Sequence, residues 1–253
     1  MCPTPVLDCG CQSHKGHAMN HAVSKSPAKL WLAVAAVVSV LAIPQPVQAG
    51  CSDRPAAAMD WTGCSKERLM LNGLDMSAGI FENAFLAGTG FKGALMAGAN
   101  LQRSELVRSS FIGADLTGSN LEKALASRSD FGGAILRGAR LVKAEFLRVN
   151  FAKADLTDAD LSGGDFYRND FSDAQMTGAD LHDAIMPRAV FTGAAMKGAN
   201  LAGAFLLQAH FENVDLSGVV GLEQTQLDLA CGDEATILPV GLVAPAHWPC
   251  FGE

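Results

Sequence analysis

The stretch FYRNDFSDAQMTGADLHDAI, residues 166–185, sets Phe166, Phe171, Met176 and Leu181 at strict five-residue steps. Helices repeat their buried side chains every ~3.6 residues and strands every ~2, so this spacing excludes a helical bundle and a β-sandwich. The same step runs from Leu71 to Leu216, where 30 consecutive places hold Leu, Phe or Met apart from Ala126; an unbroken phase of that length requires a solenoid. Two places before each of these central residues, the 27 units from Leu86 onward carry Ala 18 times and Ser four times. Small side chains there fit a narrow interior that two residues from each wall must share at crystal-like density.

A second period of 20 lies over the first. One column reads Leu71, Phe91, Phe111, Phe131, Phe151, Phe171, Phe191 and Phe211, and the next Met76, Met96, Leu116, Leu136, Leu156, Met176, Met196 and Leu216. The third is Phe81 followed by leucines from Leu101 to Leu201, and the fourth is Leu86, Leu106, Ala126, Phe146, Phe166, Met186 and Leu206. Four columns with distinct packing habits predict a coil with four sides. Ala126 fills less volume than a leucine, and Phe146 one coil on is the expected filler.

The units ADLTG (114–118), ANLQR (99–103), ADLTD (154–158) and ADLSG (159–163) resemble the pentapeptide-repeat family. The resemblance covers about 150 residues and implies an all-β right-handed quadrilateral β-helix, of about seven to eight coils in this chain. Coils stacked at the strand spacing of ~4.8 Å would make a rod on the order of 36 Å long.

A solenoid needs covered ends. Residues 50–70 are the expected N-terminal cap, with Trp61 over the first coil; the helix proper is placed at 71–218, and 219–253 closes the far end with a short helix around Glu223 to Ala230 and a Pro-rich tail bearing Trp248. These flanks look like those of exported family members. Four cysteines follow residue 49, which allows three pairings on paper. Cys51 and Cys64 fall at one end of the rod and Cys231 and Cys250 at the other, so two local disulfides are expected, because bonded Cα atoms must lie within ~7 Å.

Residues 1–49 read as a signal peptide: Lys25 and Lys29 precede the apolar run 30–43, and Val47 and Ala49 suit cleavage after Ala49. That run is short for a membrane span, which needs ~20 residues. Lipidation at Cys51 is the lesser alternative, since Gln48 stands where that motif usually has Leu. Residues 1–18 hold Cys2, Cys9, Cys11, His14 and His17, with His21 nearby; they read as an over-long start before Met19 rather than as a metal site. The expected location is periplasmic or secreted. Residues 1–49 hold three of the 19 basic and one of the 26 acidic residues, so the rest carries 16 against 25, a net charge of −9 that argues against a nucleic-acid partner.

No elbow, P-loop or zinc-protease motif occurs, and Asp180, His182 and His210 fall at outward places, so neither an enzyme, a metal nor a cofactor is expected. The corners are more informative. Two places after the centre, the fourth side reads Gly88, Arg108, Arg128, Arg148, Arg168, Arg188 and Gln208, and the neighbouring corner adds Arg103, Lys123 and Lys143. Five aligned arginines make a candidate contact edge for a protein or an anionic cell-envelope component, since Arg forks onto carboxylate or phosphate. The competing reading pairs them with nearby acids: Arg168 with Asp165 or Asp170, Arg148 with Glu145, Arg128 with Asp130 and Arg108 with Glu105, leaving Arg188 between Ile185 and Val190. Outward Phe85, Leu125, Ile185 and Phe205 add an apolar patch that a partner or a second copy of the chain would cover. The reading is thus a non-enzymatic exported interaction or structural protein. The alternative implied by the resemblance, a DNA mimic that protects topoisomerases, requires a chain that is not exported.

Overall fold

The computed structural model describes residues 50–250, all within the unit Gln45–Glu253. The expected signal peptide and its Cys/His cluster lie outside the described residues. Every twentieth residue the chain meets itself in parallel: Asp60 bridges Ile80, Phe85 bridges Glu105, Asp160 bridges Asp180, and the offset holds to Asn200 and Val220. Each bridge is one residue long because a corner follows at once. Phe81 N–H donates to Asn100 O at 2.6 Å, and Asn100 N–H returns to Gly79 O at 2.9 Å. Four such sides per turn make a quadrilateral β-helix.

The corners are tight turns, as when Ala84 N–H donates to Phe81 O at 3.0 Å. A turn of this kind needs a left-handed residue in its third place. From Ala58 to Asn213, every residue two places after a centre has φ between 53° and 74°. Glycine takes that conformation freely and fills 14 of these 32 corners, so 18 hold a side chain against an intrinsic cost of about 1–2 kcal/mol each.

The central residues and the alanines before them point inward and are almost all fully buried. The phenylalanine column stacks nearly parallel, with centroids 4.7 Å apart at Phe91 and Phe111, 4.5 Å at Phe111 and Phe131, and 5.2 Å at Phe171 and Phe191. These spacings read the coil rise directly. Beside Ala126 the Phe146 ring leans onto Phe131, 5.6 Å away. Inward hydroxyls bond to the backbone: Ser109 Oγ donates to Leu86 O at 2.8 Å and Ser129 Oγ to Leu106 O at 2.6 Å.

The ladder begins at Asp60, inside the segment expected to be a cap. Trp61 and Lys66 occupy central places outside the Leu, Phe and Met alphabet, which hid this first coil from the repeat count. Trp61 is buried and meets Phe81 edge-on at 5.9 Å. Lys66 lies 4.3 Å from the Trp61 ring centre and bonds to the Cys51 carbonyl. At the other end α1 (Gln224–Leu227) interrupts the period, and the bridge offset widens to His210 with Cys231 and Asp215 with Ile237. Gln226 Nε2 donates to Leu201 O and Ala204 O, both at 2.8 Å, capping exposed carbonyls of the last coil. Disulfides join Cys51 to Cys64 and Cys231 to Cys250, with Cα separations of 5.5 and 5.4 Å.

Candidate functional site

The corner after the fourth side carries the five arginines, each left-handed: Arg108, Arg128 and Arg148 at φ 57°, Arg168 at 56° and Arg188 at 59°. Because each stands one coil above the last, their Cα atoms repeat at the coil rise. Arg108, Arg128, Arg148 and Arg168 are exposed and Arg188 is half-buried.

The ion pairs expected from neighbouring sequence do not form: among the described residues no carboxylate pairs with Arg108, Arg128, Arg148 or Arg168. The three aspartates are occupied elsewhere. An aspartate just before a centre turns onto the N–H two residues on, the local bond that Asp and Asn favour. Asp165 Oδ1 thus accepts Tyr167 N–H at 3.1 Å and Asp170 Oδ1 accepts Ser172 N–H at 2.9 Å. Asp130 Oδ1 accepts both Gly132 N–H and Asn150 Nδ2. Arg168 lies instead over the Tyr167 ring, its guanidinium carbon 5.3 Å from the centre. Arg188 Nε donates to Gln208 Oε1 at 2.7 Å. On the neighbouring corner Lys123 does pair, with Glu122 at 3.3 Å.

A groove of ≈ 460 Å³ runs along this corner, floored by Val107, Ser127, Leu147 and Tyr167 and edged by Arg108, Arg128 and Arg148. Sequence reasoning missed the floor. Its signal is the column just after the centre, Ala87, Val107, Ser127, Leu147, Tyr167, Pro187 and Leu207, which is mostly apolar where the equivalent column of the third side is mostly polar. The corner backbone is also most open here. Ser109 N–H closes its turn on Leu106 O at 3.0 Å, whereas Val149 N–H goes across coils to the Asn169 side chain, Oδ1, at 2.8 Å. Asn169 Nδ2 is buried without a partner among the described residues. Phe85, Leu125, Ile185 and Phe205 stand outward on the flanking side, each 41–47% exposed, as expected.

His182 and His210 form local pairs, with Asp180 and Glu212. His182 Nδ1 lies 2.9 Å from Asp180 Oδ1, and that hydrogen bond raises the His182 pKa above 6.5. Asp180 is held below the usual carboxylate range: partial burial pushes it up, but the hydrogen bonds from His182 and Asn200 outweigh it. Among the described residues no group of three or more His, Cys, Asp or Glu is placed to hold a metal ion, and no helix is long and apolar enough to cross a membrane.

Over residues 84–122, 127–163, 150–188 and 189–220 the chain matches eight copies of the family model described as Pentapeptide repeats. The solved structure of full-length QnrB1, a plasmid-mediated fluoroquinolone resistance protein, aligns with a TM-score of 0.57 at 17% identity, over 72% of this chain and 91% of that one. HetL, a pentapeptide repeat protein involved in heterocyst differentiation regulation from the cyanobacterium Nostoc sp. strain PCC 7120, aligns at 21% identity over 75% of this chain and 91% of its own, with a TM-score of 0.31. Among curated proteins none matches this chain.

Proposed function

Since the chain belongs to the pentapeptide-repeat family and has its right-handed quadrilateral β-helix, we propose that it is a non-enzymatic interaction protein, exported to an oxidising compartment, whose arginine edge contacts an anionic partner. One observation carries this reading: Arg108, Arg128 and Arg148 line an open groove in register, and among the described residues no ion pair satisfies them. Nothing in the fold calls for arginine there. Of the 24 equivalent corners on the other sides 13 hold glycine, which takes this conformation freely, while each arginine holds φ near 57° at a cost.

Export is supported by the signal-peptide layout of residues 1–49 and by two disulfides, which persist outside reducing cytoplasm. The Cys51–Cys64 bond uses the thiol that lipidation would need. The fold shared with QnrB1 does not carry that protein's activity over, because a fold hosts many functions.

The test is retention of the protein on carboxylate- and phosphate-bearing supports at low salt. The triple variant Arg108→Glu, Arg128→Glu, Arg148→Glu should lose retention while keeping the parent circular dichroism spectrum. Unchanged retention would reduce the edge to solvated surface.

A further inference from the structure

We propose that the arginine edge is a track for a linear acidic polysaccharide with one anionic group per sugar; this rests on the edge being the contact surface and names what it contacts. The first reason is register. Stacked phenylalanines put the coil rise at 4.5 to 5.2 Å. The arginines repeat at the same step, since each is one coil from the next. A 1,4-linked pyranose chain advances by roughly one coil rise per ring. Carboxylates on one side of such a chain meet every rung; carboxylates that alternate sides meet every second rung, such as Arg108 and Arg148. An extended peptide is out of step, because side chains on one of its faces recur every ~6.6 Å and miss the third rung.

The second reason is the floor. Sugar rings present C–H faces beside their charged groups, and the groove sets Val107, Leu147 and the Tyr167 ring beside the guanidinium row. Arg gives a planar fork that binds a carboxylate through two parallel hydrogen bonds. The third reason is sign. Neither corner place, from Ala87 and Gly88 to Leu207 and Gln208, holds an acid, whereas Asp158, Asp173 and Asp183 stand on the other three corners. Glu105, Glu145 and Asp165 on the flanking side confine a polyanion to the corner.

Calorimetry of the protein against 1,4-linked uronate oligomers of increasing length tests this, beside poly-glutamate of matched charge and vesicles of anionic phospholipid. Affinity should rise with length and level off once the oligomer spans the five rungs. Poly-glutamate and vesicles should bind about tenfold or more weakly. Arg108→Glu with Arg128→Glu and Arg148→Glu should abolish uronate binding, and Tyr167→Ala should weaken it while leaving the salt dependence unchanged. Equal binding of poly-glutamate or vesicles would overturn the polysaccharide reading and leave the anion-contact reading standing. Absence of binding to every polyanion would overturn both. Uronate binding that survives the triple reversal would place the track elsewhere.

Discussion

At a left-handed corner the backbone and the side chain make separate demands. Arg128 and Arg148 meet the first at a cost, because a Cβ at φ 57° crowds the backbone and glycine would not. Against that, glycine loses more freedom on folding. The balance predicts that Arg128→Gly and Arg148→Gly leave the protein as stable or raise its stability by about 0.5–1 kcal/mol each, while anion binding falls. Chemical denaturation beside calorimetry checks both; a clear loss of stability would mean that these arginines serve the fold. His182 offers a pH test at the same scale. Its folded pKa is raised by Asp180, so its contribution is complete below 6.5 and is lost as pH rises through the raised value. The NMR titration midpoint of His182 should stand above 6.5, and Asp180→Asn should bring it down. The substitution suits the site, since Asn200 in the same column accepts Ala202 N–H at 3.1 Å as Asp180 accepts His182 N–H.

At the scale of sides and caps, what the sequence discloses depends on whether a period carries it. Central residues, inward alanines and corner glycines recur every five places, so their burial and turns are legible in the sequence. The cysteine pairs were legible too, once the two rod ends were located. The fate of the acids was not. Asp165 and Asp170 flank Arg168 in sequence, yet backbone N–H groups two residues on claim both carboxylates. That choice is made by turn geometry, which spacing alone does not display. The first coil was hidden because Trp61 and Lys66 break the alphabet of the repeat, and the groove floor because its side chains share apolarity rather than identity. The C-terminal cap and a short helix around Glu223 to Ala230 are expected from the break in the period, but nothing in the spacing singles out the residue that covers the last coil. Gln226 closes Ala204 O, which no next coil meets, and adds a second bond to Leu201 O, which already accepts Ala204 N–H at 3.1 Å. Gln226→Ala should therefore cost about 1–3 kcal/mol, the penalty of leaving such groups unpaired. Hydrogen exchange should show that loss concentrated in the coil of Leu201 and Ala204; an even loss along the rod would place the cap's strength in its disulfide instead.

Across the whole rod, each coil touches only its neighbours, so stability approximates a sum over coils and interfaces. Register is then the global variable, and length is free. Duplicating residues 131–150 adds one coil with its own Phe131, Leu136, Leu141 and Phe146 inward and one more arginine, a copy of Arg148, on the edge. The duplicated chain should fold at least as stably as the parent and bind long uronate oligomers more tightly. Inserting a single five-residue unit between Gly138 and Ala139 keeps every local turn but moves all later residues round by one side. Phe151 would no longer stack on Phe131, now 5.1 Å away, and Arg148, Arg168 and Arg188 would leave the corner of Arg108 and Arg128. The five-residue insertion brings Lys143, Gly163 and Asp183 to the places that Arg148, Arg168 and Arg188 held, so it should lower the denaturation midpoint and weaken binding, although it adds residues of the same composition. If both insertions bound alike, net charge would govern the interaction rather than the alignment of guanidinium groups along one corner.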